Sequence, residues 1–480
     1  MTAADLQALL PLLILAATSL FILLGAAFLP GHRTAYLITI VGMLVALASI
    51  RAAVAQAPHL VGEMLVIDAF ALFYIGLLLL AASVVTTFAY DYLKKIHLKA
   101  EEFYALLTLA TLGGCVLAAS NHFATMFLGI ELLSVPLYVL IAYVFRKNDS
   151  LEAALKYLIL AATASAFLLF GMALIYAELG TMHFDGLRDN LQAGIGERRG
   201  LLLAGIALMI TGFGFKLAVA PFHMWTPDIY QGAPAPVTAF IATISKGAMV
   251  ALLLRFFGAI PSDQSGAVFT AISCIAVASM TIGNLLALRQ TNVKRIMAYS
   301  SIAHLGYVLV AFLSGGPQAI ESATFYIVSY SIATLSVFGL LAALSNADGE
   351  PETLAPFKGL FWRNRSAAVF LSLAIFSLIG IPLTSGFWAK LFIFIAGIQS
   401  GLWVLVILLA LNSAIGLYYY LRILFVLYSP TDELSELSST TSPLNRSSFV
   451  ILAALTLLSL TIGIHPAPLL ELVKMLVTTL

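Results

Sequence analysis

Residues 210–222 read ITGFGFKLAVAPF, and residues 378–392 read LIGIPLTSGFWAKLF. Each is an apolar stretch holding one lysine among helix-interrupting residues. Gly212, Gly214 and Pro221 flank Lys216, and Gly380, Pro382 and Gly386 precede Lys390. Proline and glycine inside a helix free backbone carbonyls and amides. Lipid offers those groups no partner, so a break within a span must face protein or water. Broken helices near mid-bilayer are where membrane bundles build ion sites. The two stretches therefore predict a bundle of membrane-crossing helices, two of them interrupted beside a buried cation.

The rest of the chain agrees. Of 480 residues 61% are hydrophobic and only 10% charged, with a mean hydropathy of +1.02, where a soluble domain carries about 25% charged residues. Apolar runs of about 20 residues suit spanning helices, not the alternating strands of an outer-membrane barrel. A formal net charge of +1 and the absence of like-charge blocks argue against nucleic-acid binding. The first apolar run, Leu6 to Leu29, is long enough to span and lacks the basic leader of a cleavable signal. Cys115 and Cys274 stand alone within apolar runs, without the spacing of an iron–sulfur ligand set, and read as packing residues.

Spans read from run length and polar boundaries number about fourteen. They cover 6–29, 34–57, 66–90, 101–119, 121–145, 152–177, 200–222, 235–258, 267–288, 293–314, 319–346, 367–398, 401–426 and 447–464. A short amphipathic tail, 466–480, is expected at the interface. Residues 1–480 thus form a single all-α polytopic membrane domain, and no connection is long enough to hold a soluble one. With the amino terminus outside, Arg33, Lys94, Lys95, Lys99, Arg146, Lys147, Arg289, Lys294, Arg295, Lys358, Arg363, Arg365, Arg422 and Arg446 fall inside. Arg51, Arg188, Arg198, Arg199, Arg255 and Lys474 fall outside. Positive charge in short loops is retained in the cytoplasm, so both termini are expected to face the periplasm.

Four lysines are left over by that sort: Lys156, Lys216, Lys246 and Lys390. Glu131 is the carboxylate that lies well inside a span. A charge near mid-bilayer costs roughly 2.5–3.5 kcal/mol on insertion scales, so such residues face a partner or a wet cavity. Snorkelling or static ion pairing is the plain alternative. It fits Lys156 best, because Glu152 stands one turn earlier in LEAALKY, the favourable Glu-to-Lys order. Glu131, Lys216 and Lys390 have no oppositely charged neighbour in their own helices.

The landmarks also recur. Lys216 and Lys390 are 174 residues apart, and Glu131 and His304 are 173 apart. Five spans (101–258) would then repeat as five more (267–426), and an odd number per unit inverts the second copy. Lys246 has no lysine mate; its counterpart position is Tyr420. A lysine in a low-dielectric site loses part of the stabilisation of its charged form, and a nearby carboxylate restores it. Changing the distance between Glu131 and Lys216 would load or release a proton, and His304 could carry the relay through the second unit.

Residues 221–246, PFHMWTPDIYQGAPAPVTAFIATISK, resemble the signature of the proton-pumping antiporter-like subunits of bacterial NADH:quinone oxidoreductase, respiratory complex I. FLGIELLSVPLY (127–138), LEAALKYLIL (151–160), NVKRIMAYSSIAHLGY (292–307), GLFWRNR (359–365) and IPLTSGFWAKLFIF (381–394) resemble the same family in order. The IYQGAPAPV form is most similar to subunit N, the counterpart of mitochondrial NADH dehydrogenase subunit 2. The lack of a long lateral helix points away from the largest sister.

The resemblance implies fourteen helices in two inverted five-helix repeats, with helices 7 and 12 broken. It implies proton transfer by Glu131, Lys216, Lys246 and Lys390, with Lys156 a modulator of the first site. It implies a non-redox translocase subunit in the bacterial inner membrane, among other membrane-arm subunits of a hetero-oligomer. No cofactor or metal is implied in this chain; FMN, iron–sulfur clusters and quinone belong to the whole complex. A subunit of a cation/proton antiporter or a membrane-bound hydrogenase shares the same features. A haem-bearing subunit would need paired histidines on facing spans, and only His223 and His304 have a suitable context.

Overall fold

The computed structural model describes residues 2–28, 30–96, 98, 100–145, 147–187, 199–258, 266–346, 349–430 and 444–477. Lys99, Arg146, Arg188 and Arg198 of the charge sort, half of the connection 178–199, most of the connection 427–446, and the last residues of the tail lie outside them.

The chain is a helical bundle. Its long apolar helices are α1 (Leu10–Phe28), α2 (His32–Val54), α3 (Ala69–Lys95), α4 (Glu101–Ala119), α5 (Phe123–Ile141) and α6 (Asn148–Leu179). After α7 (Arg199–Leu217) and the short α8 (Trp225–Gly232) comes α9 (Ala235–Phe257). There follow α10 (Ala267–Leu288), α11 (Val293–Leu313) and α12 (Gly316–Leu344), then two half-length helices, α13 (Arg365–Ile379) and α14 (Ser385–Gln399). The bundle closes with α15 (Trp403–Tyr428), α16 (Arg446–Ile464) and the tail helix α17 (Ala467–Val477). Among the described residues thirteen helices are long and apolar enough to cross a membrane on their own, and α13 and α14 are apolar helices of about half a span each. The chain is thus a multi-pass membrane protein.

The core lies where α9, α11 and α12 meet. Residues 233–256 are buried without interruption, a pattern that a helix sustains only when others surround it on every side. By contrast α1 and α2, at the edge, expose Leu20, Phe21, Val41 and Leu44, as lipid-facing helices do. The order of elements in 101–258 recurs in 267–426: two spans, a long helix, a broken span, and a closing span.

Both breaks exist, but the first is not where the glycines suggest. Gly212 and Gly214 are within α7, where a Cβ would stand 3.0 Å from Leu168 Cβ and 2.5 Å from the Phe222 ring; they serve close packing. The helix ends at Leu217, one residue after Lys216, and the chain turns at Ala218 with φ +62°. Trp225, from across the break, donates its indole N–H to the Phe215 carbonyl at 3.0 Å, and Ala220 N–H reaches Ser279 on α10 at 2.9 Å. Groups freed by the break thus find protein partners, as lipid demands.

The second break does depend on glycine. Gly380 ends α13 in the left-handed conformation with φ +88°, returning its N–H to the Phe376 and Ser377 carbonyls. A Cβ on Gly386 would lie 1.7 Å from the Ser377 carbonyl oxygen, so only glycine lets the two half-helices pass. Lys216 therefore precedes its break and Lys390 follows its own, which the equal sequence separation did not reveal.

Several expectations need correction. Cys115 is buried, but Cys274 is exposed on α10, so it is not a packing residue. Arg255, sorted to the outer loops, is buried within α9. Its guanidinium donates two bonds, of 2.9 and 2.8 Å, to Asp68, the N-cap of α3. Asp68 is a buried carboxylate, only two residues inside the expected span 66–90. A small hairpin, His59–Val61 with Leu65–Ile67, leads into that cap. The tail is a helix with Val473 and Leu476 buried against α3 and α12, while Leu472 and Met475 stay exposed.

Candidate functional site

The candidate charges fall into one buried row and one outlier. Glu131 is half-buried on α5 and accepts a hydrogen bond from Ser165 of α6 at 2.6 Å. One turn further along α5, Ser134 accepts from Lys216 Nζ at 2.6 Å. Glu131 and Lys216 share that face of α5 without pairing directly, each held by a serine hydroxyl. The Lys216 ammonium also lies 5.7 Å from the Tyr157 ring centroid.

Lys246 follows a single π-helical turn, Ile241–Ser245, inside α9. Such turns shift the register of the residues beyond them and recur at functional sites. The shifted side chain donates to Ser301 on α11, which also accepts from the Tyr330 hydroxyl of α12 at 2.8 Å and has Tyr230 within 3.4 Å. One turn beyond Ser301 on α11, the His304 ring lies tilted against Tyr330, their centroids 5.4 Å apart. Its Nδ1 meets the Tyr326 hydroxyl at 2.6 Å and its Nε2 the Tyr420 hydroxyl at 3.1 Å, and Tyr420 also bonds Ser300.

His304, Tyr326, Tyr330 and Lys390 line one cavity of about 10 Å³, the lower edge of what holds a single water. On its far side Lys390 Nζ donates to the Ile379 carbonyl at 2.7 Å, a group freed by the α13 break, and to Ser413 at 2.8 Å. Among the described residues, no carboxylate forms an ion pair with Lys216, Lys246 or Lys390. Three buried amines without counter-ions form an arrangement that static structure gains nothing from.

Lys156 lies apart, on the exposed face of α6. It pairs with Glu152 at 2.7 Å, the partner its sequence suggests, and with Asp228 of α8 at 2.8 Å. Asp228 also meets Arg295 at 2.8 Å. These pairs fix α8, the second piece of the broken span, to α6 and α11.

The sequence reading missed the hydroxyls. Ser134, Ser165, Ser301, Tyr326, Tyr330 and Tyr420 carry no charge, so a census of charges passes over them. On the segment from Lys216 towards α9, His223 Nδ1 and Thr226 Oγ1 are buried without a partner in the protein, the condition that a bound water relieves. Both His304 ring nitrogens are engaged by tyrosine hydroxyls, which leaves none free for a haem iron.

The sequence pattern of the NADH:quinone oxidoreductase/Mrp antiporter transmembrane family matches residues 120–416. The chain belongs to this family. A chain of respiratory complex I from Thermus thermophilus is 32% identical, over 96% of this chain and 98% of that one, with a TM-score of 0.82. Two more distant structures share the fold. One is from an archaeal membrane-bound sulfane sulfur reductase (24% identity, 100% and 98% coverage, TM-score 0.86). The other is from the Mrp complex of a Dietzia species (21% identity, 100% and 98% coverage, TM-score 0.86). All three are multi-subunit membrane complexes, so members of this antiporter-like family work among membrane partners.

Proposed function

We propose that the chain is the proton-translocating subunit N of a bacterial NADH:quinone oxidoreductase, in the inner membrane with both termini periplasmic. The carrying observation is the row of unneutralised buried amines, joined by hydroxyls and one imidazole. In this reading FMN, the iron–sulfur clusters and quinone belong to other subunits, and this chain only moves protons. Approach of Glu131 favours the ammonium form of Lys216, and its withdrawal releases that proton towards Lys246 past His223 and Thr226. From Lys246 the path is Ser301, Tyr330 and the small cavity that His304 and Tyr326 also line, ending on Lys390, where the freed Ile379 carbonyl and Ser413 hold the ammonium. Hydroxyls suit the intermediate places because each can accept one proton while donating another. Lys156 acts from the side, by fixing α8 through Asp228.

The units 101–258 and 267–426 then act as inverted halves, with Lys246 where they meet. The 32% identity to the Thermus complex I chain, and the IYQGAPAPV spelling, support this reading over a cation/proton antiporter or hydrogenase subunit. Purification of the tagged chain from its native membrane separates the two. Flavin and iron–sulfur subunits with NADH–quinone activity should come with it; recovery with small membrane subunits alone would favour the antiporter.

A further inference from the structure

A second polar cavity, of about 20 Å³, lies where α3 ends and where α6, α9 and α11 begin. Its walls include Tyr92, Lys147, Asp149, Lys294, Glu350 and Glu352. Asp149 is exposed and Lys147 and Glu352 half-exposed, so the cavity faces the water on that side of the bundle. Glu350 and Lys294 form its inner wall, their side chains only 3% and 2% exposed, and they make an ion pair. The Glu350 carboxylate also accepts the Ala235 N–H at 2.9 Å. Lys294 donates to the Ala233 carbonyl at 2.7 Å and to the Gln231 carbonyl at 3.2 Å. Burial pushes the Glu350 carboxyl up, but Lys294 with the Tyr92 and Ala235 bonds together pull it further down, so it rests as a carboxylate.

Two connections lead inward from this pair. Lys294 and Ser301 are seven residues apart on α11, which puts them on one face about 10 Å apart. Gln231 adjoins Tyr230, whose hydroxyl is 3.4 Å from the same Ser301 Oγ that holds Lys246. A pair buried only for strength would gain little over apolar packing. A wet cavity on one side and the amine row on the other give it another use.

We propose that the Glu350–Lys294 pair is the port through which protons enter the row at Lys246. The inference rests on the proton-translocating function proposed above. A hydronium ion in the cavity gives its proton to the Glu350 carboxylate and leaves as water. The neutral acid loosens its hold on Lys294, whose ammonium passes a proton inward along the Tyr230 and Ser301 hydroxyls. Glu350 then returns its proton to the Lys294 amine. The pair ends as it began, with one proton moved.

The test uses the whole complex in proteoliposomes, driven by its own electron donor or ion gradient, with a pH-sensitive dye reporting proton movement. Glu350→Gln keeps the bond to Ala235 but cannot ionise. Lys294→Arg keeps the ion pair, but an arginine does not release its proton. The port reading predicts a fall of about tenfold or more in proton movement for each assembled variant, while Glu350→Asp retains it. Wild-type pumping by either assembled variant overturns the port. Lys216→Met, run alongside, distinguishes the two claims. If it abolishes pumping while Glu350→Gln and Lys294→Arg do not, the port alone falls. If Lys216→Met also pumps normally, the translocation reading itself falls.

Discussion

Replacing Lys246 by methionine is expected to leave the complex assembled and to lower its proton translocation by about tenfold or more, the lower end of what a positioned proton carrier contributes. Methionine follows the course of the lysine stem and fills its space, and it removes a buried charge that no described carboxylate neutralises. Replacing such a charge by an apolar side chain is often neutral or stabilising. The change should therefore separate function from fold: thermal unfolding in mild detergent at or above the wild-type temperature, with pumping lost. Ser301 keeps a donor, the Tyr330 hydroxyl, so the substitution strands no buried oxygen there. An unfolding temperature well below wild type would instead make Lys246 a structural residue.

Asp68→Ala is expected to have the largest effect on stability. It leaves the Arg255 guanidinium buried against Phe70, 5.1 Å from the ring centroid, with its bidentate partner gone. Breaking a buried pair from one side costs about 3–5 kcal/mol, because an uncompensated charge stays behind. The substitution also removes the N-cap of α3, where Asp68 accepts the Ala71 N–H at 2.7 Å, for about 1 kcal/mol more. The double variant Asp68→Ala, Arg255→Met should recover most of the loss, since no charge is then left unpaired. Unfolding of the two variants in the same detergent checks both statements; equal losses would mean the cap and the packing matter, and the pair does not.

The helical bundle was legible in the sequence because a membrane span must be long and apolar, and glycine or proline stands near both broken spans. Lys216, Lys246, Lys390 and Glu131 were legible for the same reason: a charge in an apolar run stands out. What escaped depended on the third dimension. Arg255 sits one helical turn from the end of α9 and reads as a loop residue until Asp68 is seen beside it. Lys294 reads as a cytoplasmic loop charge until Glu350, remote in sequence, closes over it. The glycines before Lys216 mark close helix contacts, and the turn that ends α7 is made at Ala218, a residue with no breaking character. The equal separations of the repeat placed Lys216 and Lys390 as equivalents, although one precedes its break and the other follows. The hydroxyls that link the amines are common in any membrane helix, and only their convergence on Lys246 and His304 distinguishes them.

The central claim, that the buried amines move protons under the control of a carboxylate, is tested most directly at the pair from which the row begins. Proton translocation by the assembled complex should be measured in proteoliposomes carrying Glu131→Gln or Lys216→Met, beside wild type. Both variants are expected to assemble and to lose translocation, because one removes the controlling charge and the other the carrier it acts on. Unchanged turnover and unchanged pumping in both would contradict it.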